Sequence, residues 1–251
     1  MTSPTRRAVT VRPVATLSIA AAWLMAVLAA PLQATGADGA RKLSFDVFLD
    51  DRAIGYQRFS LTPAGEALRI ETQARFEVKV LRITAFSYDH RNTEVWRGGC
   101  LRSIDAFTDS NGKKSAVSGR AQGNAFVVAT KDGERALGDC VATFAYWDKG
   151  ILLRSQTLLN SQTGEHVPVR IAPLGAGTQR IGSRDLSVAR YAIKGKGIDI
   201  TLAYTPDSDE WVALDSKMEG GRTLRYRRNI GELDRATAAQ PPRTGGVASG
   251  R

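Results

Sequence analysis

Five residues at every second position, Tyr88, His90, Asn92, Glu94 and Trp96, form the densest run of chemically capable side chains in the sequence. A spacing of two puts them on one face of an extended strand, because successive side chains of a β-strand point to opposite sides. Phe86 continues that face, while Ser87, Asp89, Arg91, Thr93 and Val95 fall on the other and read as solvated. If the mixed aromatic and polar face turns into a curved sheet, His90, Asn92 and Glu94 become buried polar groups that need partners. A bound ligand or ordered water can supply them, which makes this row the candidate floor of a ligand-binding pocket. The competing reading is a structural network in which the same groups satisfy one another or neighbouring strands. A catalytic version would use His90 and Glu94 as an acid/base pair. It has no identifiable nucleophile.

Other chemistry is sparse. His90 and His166 are the only histidines, and neither stands in a metal-ligand spacing with the other or with a cysteine, so the sequence implies no metal site. There is no GxSxG elbow, HExxH pair, Walker loop or dinucleotide fingerprint, and no cofactor is implied. Hydrolase and nucleotide-binding readings therefore have no positive support. Tyr146-Trp147 and Trp211 read as core or sheet-end packing. The polar run Asn160-Ser161-Gln162-Thr163-Gly164 could offer amides to a ligand, yet turn chemistry alone accounts for it.

The elements that must hold the row are strands. Leu68, Ile70, Thr72, Ala74, Phe76, Val78 and Val80 alternate with Arg69, Glu71, Gln73, Arg75, Glu77 and Lys79, the pattern of a half-buried strand. Similar alternation runs through Phe45-Val47-Leu49, Ile198-Ile200-Leu202-Tyr204 and Trp211-Ala213. Turn signals punctuate these runs at Pro63-Ala64-Gly65, Arg97-Gly98-Gly99, Asn111-Gly112, Asp132-Gly133, Lys149-Gly150, Thr163-Gly164, Gly195-Lys196-Gly197 and Gly220-Gly221. No amphipathic helix of useful length is visible. The expectation is an all-β protein: one large antiparallel meander over residues 37–233, curled into a barrel or half-barrel to bury one face. Residues 234–251, rich in Ala, Gly, Pro and Thr without apolar periodicity, read as a disordered tail.

The beginning of the chain has the three-part build of a secretion signal. Arg6, Arg7 and Arg12 precede an apolar run from Val14 to Ala30, and small residues follow around Ala34-Thr35-Gly36, placing cleavage near Gly36. An uncleaved anchor helix is the alternative, since the run approaches the roughly 17 residues that just span a bilayer. Thr16, Ser18 and the small-residue ending favour removal. Arg6-Arg7 also raises the twin-arginine route, but Ala8-Val9-Thr10 lacks the bulky apolar residues expected after the pair. Removing residues 1–36 takes away three arginines and no acid, so a net charge of +10 becomes +7. Outside the cytoplasm a basic protein meets anionic lipid heads, phosphates and acidic glycans rather than nucleic acid. The charges are dispersed, except for Arg222, Arg225, Arg227 and Arg228.

In an oxidising compartment Cys100 and Cys140, two otherwise unexplained thiols, should form a disulfide. Each follows turn-like glycines, Gly98-Gly99 and Gly138, which suits two neighbouring strand starts at one end of a sheet.

Particular strings carry a family resemblance: Val47 to Gly55 (VFLDDRAIG), Tyr88 to Leu101 (YDHRNTEVWRGGCL), Thr108 to Gly112 (TDSNG), Phe144 to Trp147 (FAYW) and Leu158 to Glu165 (LNSQTGE). Together they resemble the DUF6134 family of bacterial exported proteins, over most of the chain from Arg41 to Ile230. The strand-rich plan and the Glu-x-Trp strand are more remotely similar to DUF3108-type periplasmic β proteins. The open half-barrels of lipoprotein carriers are a further analogy, weakened because those close their barrel with helices. The family name assigns no activity. The expected function is periplasmic binding of a lipid-like or anionic amphipathic ligand in the curved sheet, with Tyr88, His90, Asn92, Glu94 and Trp96 as binding residues. The alternatives are a non-catalytic scaffold that binds another envelope protein through a sheet edge or face, and an envelope lipid or glycan enzyme using His90 and Glu94.

Overall fold

The computed structural model describes residues 39–80, 83–229 and 231. The secretion signal expected over residues 1–36 and the tail expected over 234–251 lie outside the described residues.

Short-range pattern becomes architecture directly. Strands β1 (Arg41–Leu49), β2 (Arg52–Ala64), β3 (Ala67–Val80), β4 (Ile83–Arg97), β5 (Cys100–Ser110), β6 (Lys113–Gln122), β7 (Ala125–Thr130) and β8 (Gly133–Leu137) form successive antiparallel hairpins. The Asn-Gly signal between β5 and β6 is a tight turn, with Asn111 and Gly112 both at positive φ, the conformation that matches strand twist and favours these two residues. At Gly55 on β2, any Cβ would fall 1.9 Å from the Arg75 carbonyl oxygen of β3, so only glycine permits that close approach.

After β8 the chain leaves the sheet. Residues 138–169 carry helix α1 (Lys149–Arg154) and a small hairpin of β9 (Thr157–Leu159) and β10 (His166–Pro168). The chain then rejoins the large sheet as β11 (Arg170–Ile181), β12 (Arg184–Gly195), β13 (Ile198–Tyr204), β14 (Trp211–Lys217) and β15 (Thr223–Arg228). β15 pairs with β1, so the strand order is β11-β12-β13-β14-β15-β1-β2-β3-β4-β5-β6-β7-β8. The first strand is thus a central one. The order is linear, as in an open, curled sheet.

Residues 138–169 are the departure from a simple meander, and they explain how the sheet buries its inner face. Val141, Ala145, Trp147, Ile151, Leu152, Leu158 and Leu159 join one contiguous core with Phe45 of β1, Phe59 of β2, Ile70 of β3, Phe126 of β7, Ile193 of β12 and Trp211 of β14. Strands far apart in the sheet therefore share one interior around this crossing segment. Phe45, Phe59 and Trp211 meet with ring centroids 4.0 to 6.3 Å apart. Trp147 lies edge-on against Trp96 at 5.4 Å. The Tyr204 hydroxyl donates to the Tyr146 carbonyl at 2.8 Å and the Arg41 guanidinium donates to the Trp147 carbonyl at 3.2 Å. Trp147 and Trp211 are core residues, as their type suggested.

Two local expectations need correction. Lys149-Gly150 does not make a hairpin; the Asp148 side chain accepts from the Ile151 amide at 2.8 Å and caps α1 instead. Cys100 and Cys140 are disulfide-bonded, but only Cys100 begins a strand. Cys140 lies in the irregular stretch after β8, where the Leu101 amide also donates to the Val141 carbonyl at 2.9 Å. The cross-link therefore ties the sheet to the start of the crossing segment.

Candidate functional site

The outer face of β3 and β4 is as charged as the sequence implied, with Arg69–Glu71, Lys79–Glu77 and Arg91–Asp89 pairs along it. The inner face carries Ile70, Thr72, Ala74 and Phe76 on β3 and Tyr88, His90, Asn92, Glu94 and Trp96 on β4. A register break between Val95 and Trp96 against β5 leaves the inward alternation intact up to Trp96. Phe86, the continuation of the row, is exposed.

The neighbours of the row decide what it becomes. His90 stands opposite Ala74 and Thr108, and Asn92 opposite Thr72 and Ala106. These side chains are too small to fill the space above the polar groups. A cleft of about 440 Å³ results, within the range of about 300–1,000 Å³ usual for small-molecule sites. Its lining includes Thr72, Ala74, Tyr88, His90, Asn92 and Glu94 from β3 and β4, and Thr143, Phe144, Tyr146 and Trp147 from the crossing segment. The turn from Asn160 to Glu165, the β12–β13 hairpin tip at Lys196–Ile198, Tyr226 of β15 and residues of β2 and β14 also line it. Four of the five expected residues thus share one cleft; Trp96 does not line it and packs against Trp147.

A hydrogen-bonded network underlies this surface. Asn92 Nδ2 donates to Glu94 Oε1 at 2.8 Å, and Trp96 Nε1 donates to Glu94 Oε2 at 2.7 Å. Thr143 of the crossing segment also hydrogen-bonds Glu94. Burial pushes the Glu94 carboxyl above its usual range, opposed by these three neutral partners. His90 Nδ1 pairs with the Thr108 hydroxyl at 2.8 Å, and burial holds its pKa down to about 4, so it is neutral near pH 7. Tyr88 stacks on Phe76 at 5.0 Å, and burial pushes its hydroxyl pKa upward. Asn92 Oδ1 is buried and has no hydrogen-bond partner among the described residues.

Most of the groups of the row therefore satisfy one another, and one acceptor is left over. His90 and Glu94 bond to different partners, so they do not form an acid/base pair. Among the described residues no group of three or more His, Cys, Asp or Glu is placed to hold a metal ion.

The cationic cluster near the end of the chain lies outside the cleft. Arg222 pairs with Asp50, Arg225 with Asp51 and Arg227 with Asp215, while Arg228 is buried and donates to the Lys42 carbonyl. None of the four lines the cleft, whose charged residues are Glu94, Glu165 and Lys196. An anionic ligand head thus finds one lysine and two carboxyls there.

Sequence reasoning did not assemble the second wall. Tyr146 read as core and the run from Asn160 to Gly164 as turn chemistry, in which Asn160 Oδ1 accepts from the Gln162 amide at 2.9 Å, while Phe144 and Glu165 were not singled out as candidates. The available signal was the loss of two-residue alternation after Leu137 within a chain that otherwise keeps it.

Comparison with solved structures finds a similar fold in a β-barrel-like protein of the domain of unknown function DUF1849 from Brucella abortus, at TM-score 0.55 and 10% identity. The match covers 76% of this chain and 95% of that one. At this identity the likeness concerns the fold alone. No curated protein matches the chain. The model of the family Domain of unknown function (DUF6134) matches residues 45–229, from within β1 to just past β15, the same stretch that builds the sheet and both walls of the cleft. The chain belongs to the DUF6134 family.

Proposed function

We propose that this is an exported binding protein that holds a small amphipathic molecule in the cleft between β4 and the crossing segment. The observation that carries the reading is Asn92 Oδ1, a buried acceptor without a protein partner on the wall of a 440 Å³ cleft. Leaving such a group unmatched costs about 1–3 kcal/mol, and a ligand donor recovers it. Tyr88, His90, Asn92 and Glu94 serve as contact residues, and Trp96 as a positioning residue through its bond to Glu94. The leader-like N-terminal sequence and the disulfide both support residence in the periplasm.

The scaffold alternative would use a sheet edge or face, and one of the two edges is poorly suited to it. Edge strand β11 carries Pro173 and a register break between Pro173 and Gly175, features that blunt strand addition. The enzyme alternative needs the His90–Glu94 pair that the hydrogen bonding does not provide.

Native mass spectrometry of protein released gently from the periplasm tests the proposal. The expected spectrum shows a chain beginning near Gly36, two mass units light for the disulfide, with a co-eluting small molecule. A spectrum of bare chain alone under conditions that preserve noncovalent complexes overturns ligand binding; a cytosolic chain with its leader intact overturns export.

A further inference from the structure

Glu94 is a nearly fully buried carboxyl whose three side-chain partners, Asn92, Trp96 and Thr143, are all neutral. Structural buried carboxylates ordinarily pair with a cation. None is among the partners of Glu94: Arg41 and Lys149 engage the Trp147 carbonyl and Asp209, Arg222, Arg225 and Arg227 pair with Asp50, Asp51 and Asp215, and Lys196, the one cation of the cleft lining, is exposed at the β12–β13 tip and does not bond Glu94. His90, the nearest titratable neighbour in the row, is hydrogen-bonded to Thr108. Beside Glu94, Asn92 is 7% exposed and presents an unpartnered oxygen. Both therefore offer electron-rich oxygens without a matching positive group. The aromatic residues Tyr88, Phe144, Tyr146 and Tyr226 line the same cleft, and aromatic rings attract cations.

Resting on the reading of the cleft as a ligand site, we propose that the ligand carries a protonated amine, seated with its N–H groups toward Asn92 Oδ1 and the Glu94 carboxylate and its apolar part along the aromatic wall. An ammonium supplies both things the row lacks: a donor for Asn92 and a countercharge for Glu94. A carboxylate or phosphate head would meet Glu94 as a like charge, and an alcohol would supply the donor without the charge. The positive net charge of the chain does not decide the matter, because the arginine cluster lies outside the cleft lining.

The test is isothermal titration calorimetry of the dialysed, disulfide-intact protein with three probes of equal chain length: n-hexylammonium, hexanoate and 1-hexanol. Hexylammonium should bind at least tenfold more tightly than either of the others. Glu94→Gln, which keeps the shape and one acceptor oxygen while removing the charge, should abolish that preference while leaving the near-ultraviolet circular dichroism unchanged. Equal or tighter binding of hexanoate or hexanol overturns the amine assignment and leaves the cleft as a binding site. So does a preference that survives Glu94→Gln. If no probe binds, the amine assignment falls, and native mass spectrometry decides separately whether the cleft holds a ligand. Should Glu94→Gln misfold, the ranking of the three probes on the unmodified protein still upholds or overturns the amine assignment.

Discussion

The two ends of strand β4 obey the same alternation and have opposite fates. At one end Trp96 is sealed by Trp147 and joins the main core; at the other, Tyr88, His90 and Asn92 face a cleft. Strand pattern alone does not make the difference, since both ends place every second residue inward. The difference is what lies above them. The crossing segment, tied to β5 by the disulfide, sets Trp147 edge-on against Trp96 and joins the main core, while Thr143, Phe144, Tyr146 and another side of Trp147 border the cleft over the polar end. Period two tells which way a residue points, and the cover decides whether it becomes core or site.

The largest expected effect lies at the sealed end. Trp147→Ala should cost about 3–5 kcal/mol by chemical denaturation, because it empties the space against Trp96 and uncovers the core. A cost below about 1 kcal/mol would show that the crossing segment does not seal that end.

Breaking the tether comes next. Replacing Cys100 and Cys140 with serine removes a cross-link between residues 40 apart in sequence, worth about 4 kcal/mol in the chain-entropy account. The two ends should respond unequally: hydrogen exchange should accelerate in residues 138–148 and the adjoining part of β5 more than in β1 and β15. Uniform acceleration would contradict the tethering role.

Acid should act on the open end. His90 has a folded pKa of about 4 against about 6.5 unfolded, so the unfolded chain binds the proton first. Its contribution favouring the folded state is complete above pH 6.5 and is lost as pH falls toward 4, up to about 3 kcal/mol. Glu94 acts with the opposite slope: its raised folded pKa favours the folded state below about 4.5, and that contribution is lost as pH rises through the folded value. His90→Gln should therefore flatten the loss of stability between pH 6.5 and 4 in denaturation curves. An unchanged slope would place the acid sensitivity elsewhere.

The smallest effect belongs to Glu94→Gln, which should raise stability at neutral pH slightly, since it removes a buried carboxyl whose pKa burial raises and that no cation matches. Destabilisation at neutral pH would mean the carboxylate is a structural requirement of the fold.

Much of this was legible in the residues themselves. The alternation from Leu68 to Val80 and from Phe86 to Trp96, with turns such as Asn111-Gly112, specifies hairpins through local chemistry that needs no knowledge of distant chain. The disulfide was expected from two otherwise unexplained thiols in a chain whose first residues read as a secretion signal. The inner face of β4 was legible for the same local reason. The second wall was not, because Phe144, Tyr146 and Gln162 reach the cleft through a chain path whose course depends on long-range packing. Lys149-Gly150 misled for a related reason: Asp148 just before it caps a helix that only tertiary burial of Ile151 and Leu152 makes stable at six residues.

The central claim, that the polar end of β4 faces an accessible cleft while adjacent inner-face positions are sealed, is tested most directly by the two cross-strand neighbours of Asn92. Thr72 lines the cleft and Ala106 does not, though both are buried and point to the same face. Maleimide labelling of Thr72→Cys and Ala106→Cys, each with the native disulfide verified by mass, should modify position 72 at least tenfold faster. Equal protection of the two thiols, or faster reaction at 106, would contradict the account.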